Sequence, residues 1–152
     1  MPTRLRVAAI IVQDARVLLV STKRGRPGYL VPPGGGVEHG ESLAAAVVRE
    51  VAEEAGLTVA PGRLLAYREL WTDKGLTVEL YFAARLAPGS SPASEEERTV
   101  RWLPLAELAA VPHYPERLAE LCARAADPRA GAEFLGSADL RDSGEKERAP
   151  DA

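Results

Sequence analysis

Three glutamates within five residues are the part of this sequence best suited to chemistry. Glu50, Glu53 and Glu54 lie at spacings of i, i+3 and i+4, so on a helix their carboxylates would share one face. Like charges on adjacent turns repel one another, and a bound cation would offset that repulsion. Carboxylate oxygens are hard ligands that suit Mg²⁺ or Mn²⁺ and leave coordination positions for water and phosphate. The spacing therefore favours a divalent-metal site that handles phosphate groups.

Arg49 stands directly before the first of these glutamates and four residues before Glu53. Its guanidinium fork can orient one glutamate through hydrogen bonds while the others stay available to a cation. The alternative interpretation is a charged helix face in solvent, which is the common case for an isolated E-x-x-E-E pattern.

The segment 42–55 has the composition of a helix that could carry these groups. It contains no Pro and no internal Gly, and Gly56 follows where a left-handed C-terminal cap is expected. An apolar stripe with a period of four residues predicts that the helix packs on a sheet. The stripe consists of Leu43, Val47, Val51 and Ala55.

Three consecutive glycines precede the helix and follow Pro32 and Pro33. With so little side-chain bulk, a loop at Gly34, Gly35 and Gly36 would let the backbone approach a metal ion or a pyrophosphate closely. An ordinary turn is the alternative. Because the glycines and the acidic helix are adjacent in the chain, loop, helix and carboxylates are predicted to form one site.

The whole stretch resembles the signature box of the Nudix hydrolase superfamily, a MutT-like family. Residues 35–57 match the pattern G-x5-E-x7-R-E-U-x-E-E-x-G-U, with U an aliphatic residue, at every specified position. The resemblance implies that Glu50, Glu53 and Glu54 hold the metal, with the carbonyl of Gly34 as a further ligand. It also implies that Glu53 or Glu50 is the general base. The predicted catalytic residues are Glu53, Glu50, Arg49 and Glu41, of which the last two act by charge and hydrogen bonding.

The implied reaction is attack of water on one phosphorus of a nucleoside diphosphate linked to another group, with Mg²⁺ or Mn²⁺ as cofactor. Nucleoside triphosphates and other small nucleotide derivatives are the expected substrates. The proline that marks some ADP-sugar hydrolases of the superfamily is replaced here by Asp73. An RNA 5′ end with a cap or a triphosphate is an alternative substrate, and a nucleotide sensor without catalysis is a second alternative. Sensors typically degrade the box, whereas this box is complete.

Candidates for substrate binding lie before the helix. Residues 1–30 carry six Lys or Arg against one acid, which suits a segment that grips phosphates. Tyr29 could stack on a nucleobase, with core packing as the alternative. The candidates are Arg6, Arg24, Arg26, Tyr29, Gly35 and Gly36. The resemblance further implies a carboxylate from a later loop, for which the candidates are Glu95, Glu96 and Glu97; a charged loop tip is the alternative.

Length and composition indicate one globular domain. The chain has 152 residues, of which 46% are hydrophobic and 27% charged, and its net charge of −3 argues against a protein that binds nucleic acid generally. The single cysteine, Cys122, excludes an internal disulfide, and no apolar stretch is long enough to span a membrane. A cytoplasmic location is the default expectation. Dimers are common in the family, so a homodimer is left open.

Strand and helix patterns alternate along the chain and predict an α/β fold. Strand-like runs at 7–12 and 17–21 flank a short polar turn and read as a hairpin. Further strands are predicted at 29–31, 64–71, 77–85 and 99–102, and helices at 42–55, 104–110 and 115–126. The resemblance implies an α/β/α sandwich with a mixed β-sheet. Residues 1–136 are predicted to form the domain, and residues 137–152 a disordered polar tail.

Overall fold

The computed structural model describes residues 2–21, 29–90 and 100–141. Its helices are α1 (Leu43–Ala55), α2 (Leu118–Ala126) and a 3-10 helix (Leu105–Ala110). None of the helices in these three ranges is long and apolar enough to cross a membrane. The strands are β1 (Thr3–Ile10), β2 (Val12–Gln13), β3 (Arg16–Ser21), β4 (Leu30–Val31), β5 (Gly34–Gly36), β6 (Val59–Thr72), β7 (Gly75–Leu86), β8 (Val100–Pro104) and β9 (Glu133–Asp139).

The strands form two sheets. The five-stranded sheet has the order β5-β1-β7-β6-β9. In it β1 runs parallel to β7 and β6 runs parallel to β9, whereas β1 with β5 and β6 with β7 are antiparallel pairs. The sheet is therefore mixed, as predicted. The four-stranded sheet is built around β3, which pairs antiparallel with β2, β4 and β8.

Alternation along the strands divides the core between two faces. In β3, Leu18 and Val20 belong to the apolar cluster that contains Val47 and Val51 of α1. Val17 and Leu19 alternate with these two residues and belong to the cluster that contains residues of α2. Because successive side chains of a strand point to opposite faces, each helix covers its own face of the sheets. This layered α/β/α arrangement confirms the predicted fold class.

Helix α1 ends where the sequence predicts and begins at Leu43, one residue later than predicted, because Ser42 is its N-cap. The Ser42 hydroxyl accepts a hydrogen bond from the amide of Ala45 at 3.1 Å, as an N-cap does. Gly56 has a left-handed conformation with φ 68°, and its N–H donates to the carbonyl of Ala52. Of the predicted apolar stripe, Val47, Val51 and Ala55 are buried and Leu43 packs against the same cluster.

The glycine run is a strand, and the prediction of a loop there was wrong. As β5 it pairs antiparallel with β1, with Val7 opposite Gly35 and Ala8 opposite Gly34. The approach is very close, because a Cβ on Gly34 would lie 2.2 Å from the carbonyl oxygen of Val7. Small residues are needed here for contact between strands and between strand and helix.

The polar tail was also predicted too early. Residues 137–139 end β9, which runs parallel to β6, so the described fold extends past residue 136. Phe134 stacks on Tyr67 with ring centroids 5.1 Å apart, and the Ser137 hydroxyl donates to Glu69 at 2.8 Å. These contacts come from β6, far away in sequence. Residues 142–152 lie outside the described ranges.

Smaller differences concern element boundaries. The predicted hairpin turn is present between β2 and β3. The predicted strand 7–12 is divided between β2 and β1, and β1 belongs to the five-stranded sheet. The predicted strand 64–71 starts earlier, at Val59, because register shifts accommodate Pro61 and Gly62 within β6. The predicted helix 104–110 is a 3-10 helix, and α2 starts at Leu118 instead of residue 115.

Candidate functional site

Arg49 is the centre of an ionic cluster at the side of α1 that lies against the glycine strand. Its Nε and one Nη donate to the two carboxylate oxygens of Glu41, at 2.7 and 2.9 Å, which is the strong bidentate geometry. The other Nη donates to Glu50 at 2.7 Å and to Glu53 at 3.4 Å. A further hydrogen bond, of 2.9 Å, reaches the carbonyl of Gly36. We call Glu41, Arg49, Glu50 and Glu53 the Arg49 cluster.

Glu50 is held between Arg49 and the glycine strand. Its side chain is only 11% exposed, which is unusual for a carboxylate unless a partner compensates the charge. An ideal Cβ on Gly35 would lie 2.4 Å from Oε1 of Glu50. Gly36, by contrast, has open space where a side chain would be. The glycine at position 35 is therefore required for Glu50 to occupy this place.

Glu54 points to the same strand from the next turn of α1. One of its carboxylate oxygens accepts a hydrogen bond from the amide of Gly34 at 3.2 Å. Glu53, by contrast, is 58% exposed. The three glutamates thus differ: Glu50 is paired with Arg49, Glu54 is bound to the strand and half-buried, and Glu53 faces solvent.

The surroundings of Glu41 and Glu54 shift the pKa values of these two carboxyl groups in opposite directions. Hydrogen bonds from Arg49 and from the amide of Glu38 lower the pKa of Glu41 to about 2. Burial, together with the nearby charges of Glu50 and Glu53, raises the pKa of Glu54 to about 7 against the opposing effects of the Gly34 amide and Arg6. Because the charges of Glu50 and Glu53 contribute to this shift, a cation bound beside Glu54 would favour its ionised form.

The carboxylate oxygens of the α1 glutamates are ligands that suit a hard divalent cation, although they are not arranged in a complete coordination sphere. Among the residues that the structure describes, no three His, Cys, Asp or Glu side chains are placed so that they could hold a metal ion as they stand. Arg49 occupies one oxygen of Glu50, and the amide of Gly34 occupies one of Glu54. A cation would compete for these oxygens and would relieve the repulsion at Glu54.

The other predicted residues are only partly brought to this site. Arg6 lies in β1 opposite Gly36, and its charge acts on Glu54, so it is close to the acidic helix. Tyr29 is half-buried directly before β4. Five further candidates lie outside the described residues, and their predicted roles stay predictions: Arg24, Arg26, Glu95, Glu96 and Glu97.

The sequence analysis did not name Glu38 and did not predict that Gly36, a candidate for substrate binding, contacts Arg49. The backbone amide of Glu38 donates to Glu41 at 3.1 Å, and the carboxylate of Glu38 lies 3.8 Å from Arg49. The carbonyl of Gly36 accepts from the same arginine. The glutamate at position 38 was a visible signal for the ion pair with Arg49, whereas contacts of a backbone amide or carbonyl carry no signal in the residue type.

A second ionic cluster, on the five-stranded sheet, was not predicted at all. Glu79 in β7 is buried, and its Oε2 accepts from Tyr81 at 2.7 Å, from Arg68 at 3.0 Å and from Tyr114 at 3.0 Å. A glutamate inside the apolar run of a strand was the available signal. We call Arg68, Glu79, Tyr81 and Tyr114 the Glu79 cluster.

A family model described as the NUDIX domain matches residues 2–124. Among curated proteins, the chain is 47% identical over 62 residues to human diphosphoinositol polyphosphate phosphohydrolase NUDT4B. That match covers 41% of this chain and 34% of the relative, so the chain spans about a third of the length of this protein.

Solved structures match over most of the chain. An ADP-ribose pyrophosphatase from Streptococcus suis has a TM-score of 0.63 and 26% identity, and the match covers 86% of this chain and 98% of that one. The ORF135 protein of E. coli has a TM-score of 0.62 and 28% identity, with 85% and 96% covered.

Proposed function

The chain belongs to the NUDIX domain family of hydrolases, and we propose that it is a pyrophosphohydrolase dependent on Mg²⁺ or Mn²⁺. Its substrate is a nucleoside diphosphate linked to another group, such as a nucleoside triphosphate or a nucleotide derivative. Water attacks one phosphorus, the bond from that phosphorus to the bridging oxygen breaks, and a nucleoside monophosphate leaves together with a phosphorylated remainder.

The observation that carries this proposal is the arrangement on α1. Glu50, Glu53 and Glu54 come from one helix, and Arg49 bonds two of them while a glycine strand packs against the same helix. The excess of carboxylates over cationic groups suits a site that receives a divalent cation and then phosphate oxygens.

Each carboxylate has a role that fits its surroundings. Glu50, which packs against Gly35, and Glu54, which accepts from the Gly34 amide, would hold the cation together with Glu53. When bound, a divalent cation supplies neutralisation of phosphoryl oxygens and a lowered pKa for water. Glu53 is the most exposed of the three, so we assign it as the base that accepts a proton from the attacking water. Glu41 keeps Arg49 in place through the bidentate pair.

The relatives differ in the substrates that their names state. One is named for diphosphoinositol polyphosphates and the other for ADP-ribose. Nucleotide substrates are favoured here because the ADP-ribose pyrophosphatase is matched over 98% of its length, whereas the diphosphoinositol polyphosphate phosphohydrolase is matched over 34%. The common chemistry is a pyrophosphate bond next to a larger organic group.

A substrate panel tests the proposal directly. The purified chain would be incubated with nucleoside triphosphates, ADP-ribose and other nucleoside diphosphate derivatives, an inositol pyrophosphate, and short RNA with a capped or triphosphorylated 5′ end. Each substrate would be tested with Mg²⁺, with Mn²⁺ and with a chelator, and the released phosphates would be identified. A Glu53→Gln protein purified in parallel controls for contaminating hydrolases.

We expect metal-dependent cleavage of at least one small nucleotide, abolished by chelation and restored by added metal. Turnover that survives thorough chelation would contradict the metal-dependent mechanism. Preferred cleavage of RNA ends or of the inositol pyrophosphate would contradict the proposed substrate class. Binding of nucleotides without any turnover would identify a sensor and contradict the proposed enzyme.

A further inference from the structure

The Glu79 cluster joins parts of the molecule that are far apart in sequence. Tyr81 and Glu79 belong to β7, Arg68 belongs to β6, and Tyr114 belongs to the segment between the 3-10 helix and α2. The Glu79 side chain is 7% exposed, and all three donors converge on one of its oxygens. The guanidinium of Arg68 also lies over the ring of Tyr114, 4.6 Å from its centroid, which holds the ring in place.

The backbone around Tyr114 is attached to the other sheet. The amide of Tyr114 donates to the carbonyl of Leu30 at 3.0 Å, and the amide of Leu30 donates to the carbonyl of Pro112 at 3.0 Å. Leu30 belongs to β4, whose other edge pairs with β3. Tyr114 therefore holds the five-stranded sheet with its side chain and the four-stranded sheet with its backbone.

This attachment lies next to the glycine strand in the chain. Only Pro32 and Pro33 separate β4 from β5, and the carbonyl of Pro33 accepts from the amide of Ala9 in β1. Prolines fix their own φ angles, so a shift of β4 is passed on to β5 instead of being absorbed between them. β5 in turn contacts Glu54 through the amide of Gly34.

We propose that Tyr114 is a positioning residue that clips the two sheets together where the chain enters the glycine strand, and thereby places that strand against Glu50 and Glu54. The clip acts through two bonds, from the Tyr114 hydroxyl to Glu79 and from its amide to β4. Its effect on turnover rests on the proposed function, whereas its effect on the strand does not.

Two tyrosine-to-phenylalanine variants form a matched pair that tests the clip. Tyr114→Phe and Tyr81→Phe each remove one hydroxyl that donates to the same oxygen of Glu79. The Tyr81 hydroxyl donates to a glutamate of its own strand, so loss of that hydroxyl should leave the glycine strand in place. Amide hydrogen exchange of Gly34, Gly35 and Gly36, followed residue by residue by NMR, reports the position of the strand without any substrate.

We expect Tyr114→Phe to speed exchange of the Gly34 amide about tenfold, which corresponds to the loss of one hydrogen bond from the local opening equilibrium. Tyr81→Phe should leave that amide at the wild-type rate. Equal acceleration of exchange in both variants, or no acceleration in Tyr114→Phe, would overturn the proposal that Tyr114 positions the glycine strand.

Kinetics on a cleaved nucleotide add a second, separable readout. Tyr114→Phe should lower kcat about five- to tenfold with little change in KM, because a displaced strand misplaces the carboxylates and not the bound substrate. A raised KM with unchanged kcat would mean that Tyr114 contacts substrate directly and would overturn the positioning role. A wild-type chain that cleaves no substrate would contradict the proposed function, and the exchange experiment would still decide the clip.

Discussion

The Arg49 cluster and the Glu79 cluster are built with opposite ratios of acid to donor. In the Arg49 cluster one guanidinium is shared among Glu41, Glu50 and Glu53. In the Glu79 cluster one carboxylate oxygen is shared among an arginine and two tyrosines. The first cluster has more negative charge than its arginine can neutralise, whereas the charges of Glu79 and Arg68 balance.

This difference separates a site prepared for a ligand from one that serves the fold. A buried carboxylate that is paired and hydrogen-bonded has its charge satisfied, and removal of a partner costs stability. A carboxylate group with surplus charge, as around Glu54, gains from an added cation. We therefore expect substitutions in the Arg49 cluster and at Glu54 to reduce activity more than stability, and substitutions of Arg68 or Glu79 to do the reverse. Tyr114 is the member of the Glu79 cluster that also affects turnover, through the proposed placement of the glycine strand.

The largest effect should come from the glutamates of α1. Glu53→Gln and Glu54→Gln should each slow hydrolysis of a good substrate by about 100-fold or more, because the amide can neither take a proton nor hold a cation well. Thermal unfolding should change little, since Gln keeps the shape and can still accept from the Gly34 amide. Steady-state rates and melting curves measure both effects.

Glu116→Gln is the matched control, because Glu116 is exposed and far from α1 in sequence. It should retain wild-type rates. Near wild-type rates in both Glu53→Gln and Glu54→Gln would contradict the expectation that the glutamates of α1 serve catalysis.

The glycine strand gives the next largest effect and a control within the same strand. A methyl group at Gly35 would collide with the carboxylate of Glu50, at 2.4 Å from Oε1, whereas one at Gly36 meets open space. Gly35→Ala should lower kcat about 10- to 100-fold, since displacement of a catalytic group by about 1 Å has costs of that order. Gly36→Ala should stay close to wild type. Similar rates for both variants would contradict the placement of Glu50 against the strand.

The sequence was sufficient where the structure is local. Helix α1, its C-terminal cap and its apolar stripe follow from residues within one segment, and so does the contact of Arg49 with Glu50 and Glu53. The bidentate partner Glu41 was named because it belongs to the same box. Such features depend on helix periodicity and capping, which can be read from neighbouring residues.

The sequence was insufficient where pairing over long distances decides the structure. Three glycines have no strand propensity of their own, and β5 exists because β1 accepts them as an antiparallel neighbour. The segment that forms β9 is short and polar, and it is held by Tyr67 and Glu69 of β6. The Glu79 cluster likewise depends on Tyr114, which lies 35 residues away.

Exchanging arginine for lysine in each cluster tests the comparison itself. Arg49→Lys removes the bidentate contact with Glu41 and cannot reach several carboxylates at once, so kcat should fall about tenfold with a small change in melting temperature. Arg68→Lys removes the Nε bond to Glu79 and the planar contact with Tyr114, so the free energy of unfolding should fall by about 1–3 kcal/mol with a smaller change in kcat. Chemical denaturation measures the loss of stability in both variants, and steady-state kinetics measure the loss of activity. If both variants lose mainly activity, or both mainly stability, the two clusters do not differ in role.

The smallest expected effect concerns acid stability and isolates one pair within the Arg49 cluster. Hydrogen bonds from Arg49 hold the pKa of Glu41 at about 2, below its ordinary value of 4.5. Because the folded state then binds the proton less readily than the unfolded state, this carboxylate stabilises the fold above about pH 4.5 and loses that effect as the pH falls towards 2. The melting temperature of wild type should therefore exceed that of Glu41→Gln at neutral pH, and the difference should shrink between pH 4.5 and 2. A difference that stays constant through this window would show that Glu41 acts by packing and not by its charge on Arg49.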